Sequence, residues 1–155
     1  MAPSHRILAV VALALLPACH PGFDPGAAPA PAAPEAAVQA FLAAVDSNSI
    51  DRMAALWGTE RGPSTVVIRD REERQRRLVI MQRLLQHEAF EVVSGPAALD
   101  LPPGQRKVYV ELRRGGRRAT VPFTVVAQRA GGWLVLNVGL DAVMPSSTQH
   151  PRPSP

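Results

Sequence analysis

The sequence contains very little cysteine and histidine, and these shortages exclude disulfide-stabilised and zinc-binding proteins. Its 155 residues include one cysteine, so no disulfide can form within the chain and no zinc site of paired cysteines exists. Of the four histidines, only His87 lies in the domain predicted below. Neither a glycine-rich phosphate loop nor a Gly-x-Ser-x-Gly nucleophile elbow occurs. We therefore predict no metal and no cofactor.

Charge and aromatic content exclude a second class. The formal net charge is +4, and Lys107 is the only lysine, so arginine supplies almost all of the positive charge. Aromatic residues make up 5% of the chain, which leaves few rings to stack on bases beside the arginines. We predict no nucleic-acid partner.

Long apolar runs are also scarce, with one exception at the start of the chain. Arg6 precedes an unbroken apolar run from Ile7 to Leu16, which is the pattern of an export signal. The run is too short to cross a bilayer, which takes roughly 20 apolar residues. We assign residues 1–18 as a signal peptide.

The end of this leader, Leu16-Pro17-Ala18-Cys19, resembles the lipobox of bacterial lipoproteins. The resemblance implies a lipid on the Cys19 sulfur, cleavage before Cys19 and acylation of the new amino terminus, for example with palmitate. It also implies export and a membrane anchor, with the domain in the periplasm or at the cell surface. The alternative is an ordinary secretory peptide followed by a free thiol.

Both ends of the remaining chain are unlike a folded domain. Residues 19–34 are rich in proline and alanine, which predicts an extended tether behind the anchor. Residues 145–155 are rich in serine and proline and predict a disordered tail. One domain is expected between them, over residues 35–144.

The first half of this domain has helical periodicity. A helix is predicted from Pro34 to about Val45, and a second from an N-cap at Ser49 to Trp57. Residues 65–68 are interpreted as a short extended piece. A third helix begins after Asp70, whose spacing to Glu73 is that of a capping box.

The second half alternates as strands do. Residues 90–93 predict a strand, and Gly115-Gly116 predicts a two-residue turn between two longer strands. That turn fixes the opposed pairs: Leu112 with Ala119, Val110 with Val121, and Val108 with Phe123. A second hairpin with its loop at residues 129–132 adds three more pairs: Ala127 with Leu134, Val125 with Leu136, and Phe123 with Val138.

These elements predict an α+β fold in which N-terminal helices pack on a curved antiparallel sheet. The helices around Val38 and Ile50, a longer third helix and the strands around Val108, Phe123 and Leu136 resemble the cone-shaped nuclear transport factor 2-like superfamily. The resemblance extends over about residues 35–143 and implies a cone-like domain. Members of that superfamily include isomerases, dehydratases and binding subunits, so the fold does not select a function.

The residues offer few candidates for catalysis. Asp141, Tyr109 and His87 are the polar side chains that could act as acid or base within a cone. Asp141 is better interpreted as a turn cap, Tyr109 as a surface or interface residue, and His87 as a complement to a helix terminus. We predict no catalytic residue, and the alternative is a small cofactor-free isomerase or dehydratase that uses these groups.

Arginine is concentrated in two clusters. The cluster at the start of the third helix is interpreted as a solvated face because Glu72 and Glu73 lie among its arginines: Arg71, Arg74, Arg76 and Arg77. The other cluster surrounds the glycine turn and predicts a site for phosphate or a lipid headgroup, since the guanidinium fork binds anions bidentately. It comprises Arg113, Arg114, Arg117 and Arg118. The alternative is that these arginines only keep the hairpin tip soluble.

The outer face of the sheet is predicted to be more apolar than a solvated face needs to be. Tyr109, Trp133 and Val135 are expected there, as the interface of a homodimer or of an envelope partner. Together these features predict a lipid-anchored envelope protein with a non-catalytic binding or interaction domain. The alternatives are the small enzyme and a passive structural component of the envelope.

Overall fold

The computed structural model describes residues 29–98 and 100–144, so the leader, Cys19, most of the predicted tether and the predicted tail lie outside the described residues. The elements in chain order are α1 (Pro34–Asp46), α2 (Ile50–Leu56), β1 (Gly58–Thr59), β2 (Gly62–Pro63), α3 (Ser64–Val67), α4 (Arg71–Leu84), β3 (Ala89–Val93), β4 (Gln105–Arg114), β5 (Arg117–Ala127), β6 (Trp133–Val138) and a 3₁₀ turn (Leu140–Ala142). In the part of the chain that the structure describes, no helix has the length and apolarity needed to cross a bilayer.

The three main helices form where the sequence predicts them. α1 has Pro34 in its first turn, where a missing N–H costs nothing, and it buries Val38, Phe41, Leu42 and Val45 on one face. α4 is capped by Asp70, whose Oδ1 accepts a hydrogen bond from the Glu73 backbone N–H at 3.0 Å. The three predicted helices are confirmed, although Ser49, the N-cap residue of α2, makes no capping hydrogen bond with its side chain.

The segment after α2 differs from the prediction of an extended piece at residues 65–68. Ser64–Val67 is a single helical turn. The Ser64 side chain is fully buried, and its Oγ donates a hydrogen bond to the Ala54 carbonyl at 2.7 Å. This contact with α2 holds the chain in a turn, which the local sequence does not reveal. The extended interpretation is therefore wrong.

The main sheet is antiparallel, with the strand order β3-β4-β5-β6, and the α+β class is confirmed. The sheet is open and uncurled, because β3 and β6 remain at its edges, so the curved, cone-like form that the sequence predicts is not observed in the described residues. Along the β4–β5 hairpin the predicted pairs are all observed: Val108 with Phe123, Val110 with Val121, and Leu112 with Ala119.

The β5–β6 pairing departs from the prediction at one residue. Phe123 faces Val138 as expected, but Val125 faces Val135 and Ala127 faces Trp133. Leu136 is the extra residue of a β-bulge, and the shift moves each residue before it to the other face of the sheet. The predicted pairs of Val125 with Leu136 and of Ala127 with Leu134 are therefore wrong.

The core fills the space between the helices and one face of the sheet. Phe41 of α1 and Phe123 of β5 meet edge to face at its centre, with ring centroids 6.5 Å apart, and both are fully buried. Residues of α2 and α4, including Met53 and Leu78, close the same cluster. Two cavities of about 600 Å³ lie outside this core, one at each end of β4.

The two ends of the sheet carry different features. At one end, the backbone N–H of Trp133 donates a hydrogen bond to the Pro31 carbonyl at 2.8 Å, so residues predicted as tether lie against the edge strand there. At the other end are the β4–β5 turn, the last turn of α4 and the chain after β6. β4 spans ten residues, which at about 3.3 Å per residue separates the two ends by roughly 30 Å.

Candidate functional site at the tip of the β4–β5 hairpin

The tip of the β4–β5 hairpin brings the four predicted arginines together. Gly115 and Gly116 have φ angles of 55° and 73°, which glycine adopts without the steric cost that other residues carry. The turn sets Arg114 opposite Arg117 and Arg113 opposite Arg118. The Gly115 N–H donates a hydrogen bond to Glu88 Oε1 at 2.9 Å, which fixes the turn against the start of β3.

The register divides these arginines between the two faces of the sheet. Arg114 and Arg117 lie in phase with Leu112 and Ala119, on the face that carries the core. Arg113 and Arg118 lie on the outer face, in phase with Glu111. The sequence predicts a single cluster of four arginines, whereas in the fold they form two pairs on opposite faces of the sheet.

The four guanidinium groups also differ in their partners. Arg118 Nη1 lies 3.3 Å from Glu111 Oε1, in an exposed ion pair. Arg114 Nη1 donates a hydrogen bond to the Arg83 carbonyl, also at 3.3 Å, in the last turn of α4. Among the described residues, Arg113 and Arg117 form no ion pair within 4.0 Å. On the core-side face, Arg114 is therefore positioned by the helix end and Arg117 remains available to a ligand.

A groove, here called the tip groove, lies beside this core-side pair. Its volume is about 600 Å³, and it is bordered by the end of α4, the hairpin tip and the chain after β6. Its lining residues are Leu84, Gln86, Leu112, Arg114, Gly115, Arg117, Arg118, Ala119, Ala142, Val143 and Met144. None of these described lining residues is acidic. The lining thus combines apolar residues, here called the floor, with arginines, here called the rim.

Met144 is the most exposed of the large apolar residues that line the groove. The residue is 47% exposed. Sequence reasoning did not assign Leu84, Val143 or Met144 to a site. No local signal could have done so, because α4 and the chain after β6 meet the hairpin only through the fold.

Few acidic side chains lie near the tip, and two of them, Glu88 and Glu111, contact it. Glu88 lines the neighbouring cavities, but its Oε1 accepts the Gly115 N–H, and Glu111 pairs with Arg118. Asp46 borders a cavity of about 260 Å³ together with Arg114. The tip thus has four guanidinium groups and is contacted by two carboxylates, so it carries an excess of positive charge.

The three candidate acid–base residues do not converge. His87 Nδ1 lies 2.9 Å from the Leu85 carbonyl, and its ring meets Phe90 edge to face. Tyr109 Oη donates a hydrogen bond to the Pro96 carbonyl at 3.1 Å, beneath the β3–β4 loop. Asp141 is exposed on the 3₁₀ turn. His87 and Tyr109 line different cavities and Asp141 lines neither of them, so no two of the three share one of these cavities.

The predicted outer-face interface is altered by the bulge in β6. Val135 is fully buried and belongs to the core, so its predicted position on the outer face is wrong. Trp133 is half-buried and packs against the core, and Tyr109 is half-buried beside the β3–β4 loop. The structure therefore does not gather these three side chains into one exposed patch.

The helical arginine cluster is largely tied to its own helix. Arg76 and Arg77 both pair with Glu73, at 3.2 Å and 2.6 Å, and Arg74 donates a hydrogen bond to the Ile68 carbonyl at 2.7 Å. Exposed pairs of this kind contribute little stability and leave little charge for a ligand. Of the two clusters, the hairpin tip is therefore the stronger candidate for an anion site.

Known proteins provide no further assignment. In the described part of the chain, no three side chains of the metal-binding types cluster into a metal site. Comparison of the chain with known proteins gives no match to a family model, to a curated protein or to a solved structure.

Proposed function

We propose that this chain is a lipid-anchored envelope protein whose domain is a non-catalytic module that binds an anionic ligand in the tip groove. The observation that carries the binding proposal is the pair formed by Arg114 and Arg117. The two guanidinium groups share one face of the hairpin and border a groove with no acidic residue in its described lining. Arginine is suited to such a role because its planar fork binds phosphate bidentately.

Two features favour binding over catalysis. The interior between helices and sheet is occupied by side chains such as Phe41 and Phe123, which leaves the substrate of a cone enzyme no room there. His87, Tyr109 and Asp141 lie apart, with the first two held by backbone carbonyls. Acid–base catalysis needs such groups within hydrogen-bond reach of one reacting molecule.

The anchor is proposed from the sequence of the leader. Leu16-Pro17-Ala18-Cys19 supplies the lipobox resemblance, and the proline-rich residues after Cys19 supply length between the anchor and the domain. In the described fold, the chain reaches the domain at the end of the sheet opposite the tip groove. A domain held in this way has its binding groove roughly 30 Å from the point where the tether meets the sheet.

The anchor is tested by replacing its cysteine. Cys19→Ala is expected to abolish the acyl mass of the mature protein and to release the protein from the membrane fraction or to leave an unprocessed leader. Ala18→Gly, which keeps a small residue before the cleavage point, is the matched control and is expected to stay acylated. Mature wild-type protein with no acyl mass, together with unchanged membrane fractionation of Cys19→Ala, would refute the anchor.

The binding module is tested with inorganic pyrophosphate as a probe. We expect pyrophosphate to raise the Tm of the full chain, since a ligand that binds only the folded state stabilises it. Arg117→Gln is expected to remove most of this increase. Arg113→Gln, which changes the neighbouring outer-face pair by the same charge, should retain it. Equal losses in the two variants would show that the tip acts only through its total charge and would refute the groove as the site.

A further inference from the structure

The tip groove has a second property, which concerns the part of a ligand that is not charged. Besides the arginines, its described lining includes Leu84, Leu112, Val143 and Met144. A small, fully hydrated anion would gain no affinity from this surface, because apolar groups contribute to binding only when they are removed from water. The lining therefore suits a ligand that carries an aliphatic part next to its negative charge.

The position of Met144 supports the same conclusion. Only three large apolar residues are exposed in the described part of the chain: Val66, Ile80 and Met144. Met144 alone of these lines the tip groove. An unbranched thioether adapts readily to the shape of an apolar partner, so it is well suited to a flexible aliphatic chain.

Size and charge restrict the ligand further. A volume of about 600 Å³ lies in the range of about 300–1,000 Å³ that is typical of small-molecule sites. The rim carries the guanidinium groups of Arg114 and Arg117 on one face, where one phosphate can meet both. A neutral amphiphile would leave the positive charge of these two groups without a negative partner. A bare phosphate would leave the apolar floor in water.

From this combination we infer that the tip groove binds an anionic lipid, with its phosphate on Arg114 and Arg117 and the first carbons of its aliphatic chain on Leu84, Val143 and Met144. The inference rests on the proposed binding function and names the chemical class of the ligand. It does not depend on the anchor at Cys19.

The test compares three soluble probes on the full chain. The protein is held in phosphatidylcholine nanodiscs if mass spectrometry finds it acylated, and is used in solution if not. The probes are glycerol phosphate, a monohexanoyl glycerol phosphate below its critical micelle concentration, and the neutral monohexanoyl glycerol. Isothermal titration calorimetry gives the affinities, and the ¹³C-methyl resonance of Met144 reports contact with the groove.

We expect the hexanoyl phosphate to bind at least about tenfold more tightly than glycerol phosphate, since each buried methylene adds to the affinity. It should shift the Met144 methyl resonance, and the neutral probe should bind at least about tenfold more weakly than its phosphate. Equal affinity of the two phosphates would overturn the lipid inference while leaving anion binding intact. Absence of binding by any phosphate would overturn both proposals.

Matched variants distinguish an effect that is specific to the tip groove from one that any exposed apolar residue would have. Met144→Ser is expected to reduce the advantage of the hexanoyl chain about threefold or more without changing the affinity for glycerol phosphate. Ile80→Ser is the control, because Ile80 is 58% exposed on α4 and lies outside the groove lining. Arg117→Gln should weaken both phosphates alike. An Ile80→Ser effect as large as that of Met144→Ser would contradict the placement of the chain in the tip groove.

Discussion

The two hairpins of the main sheet share β5, yet only one of them keeps a regular register. β4 and β5 pair through ten residues without a shift, and the buried residues alternate with more exposed ones on β4. β5 and β6 shift at Leu136, and Leu134 and Val135 are then both buried although they lie on opposite faces. The difference lies in what covers each part of the sheet.

Residues from the first half of the chain cover the second hairpin. Trp57 forms a parallel bridge with Val135, and its Nε1–H donates a hydrogen bond to the Leu136 carbonyl at 3.2 Å. Gly58 lies so close to Leu134 that an added Cβ would be 2.9 Å from Leu134 Cδ1. The β6 edge is therefore covered by residues distant in sequence, whereas the β4–β5 tip has two hydrogen bonds to the rest of the domain, to Glu88 and to the end of α4.

The largest expected effect comes from a charge at Val135. If alternation continued through β6, Val135→Asp would place a carboxylate in water and would be tolerated. In the bulged register the residue is fully buried. We therefore expect Val135→Asp to lower the free energy of unfolding by more than about 4 kcal/mol, which is enough to unfold most of the protein. Asn137→Asp, on an exposed position of the same strand, should change the free energy of unfolding by less than about 0.5 kcal/mol. Urea denaturation followed by circular dichroism measures both.

Leucine truncation along β6 gives the next largest effect. A regular register would bury Leu134 and Leu136 alike on the core face. The bulge instead buries Leu134 fully and leaves Leu136 half-buried. In the same denaturation experiment, we expect Leu134→Ala to lower the free energy of unfolding by about 2–5 kcal/mol. Leu136→Ala should lower it by less than about 1.5 kcal/mol. Equal costs would favour the regular register over the bulge.

The contrast also explains how much of the molecule could be predicted from the sequence. Elements whose signals are local were predicted correctly, such as the Asp70 cap of α4 and the register set by Gly115-Gly116. The bulge at Leu136 and the turn at Ser64–Val67 depend on contacts with Trp57 and Ala54, which are not visible in local patterns.

The candidate site divides in the same way. The arginines of the tip could be predicted because they follow the turn in the sequence, and Arg117 is where the hairpin register requires it to be. The apolar floor could not be predicted, because Leu84 and Met144 reach the groove from α4 and from the chain after β6. Only the assembled fold shows that charge and apolar surface meet at one place.

A smaller effect is expected at the turn that fixes the regular hairpin. Gly115 has a φ of 55°, a conformation that costs an alanine about 1–2 kcal/mol. We expect Gly115→Ala to lower the free energy of unfolding by that amount, measured by thermal or urea denaturation. Gly115→Asn should recover part of the loss, because asparagine tolerates this conformation better. If both variants matched the wild type, the turn would not be what sets the register.

The smallest expected effect isolates the contact that distinguishes the second hairpin. Trp57→Phe keeps an aromatic ring but removes the N–H that donates to the Leu136 carbonyl at the bulge. Trp133→Phe makes the same chemical change at the start of β6, where the described structure records no side-chain hydrogen bond for the indole. Because a part-buried carbonyl loses its partner only in the first variant, Trp57→Phe should cost about 1 kcal/mol more than Trp133→Phe. Paired denaturation curves measure this difference, and equal costs would show that the bulge is held by packing alone.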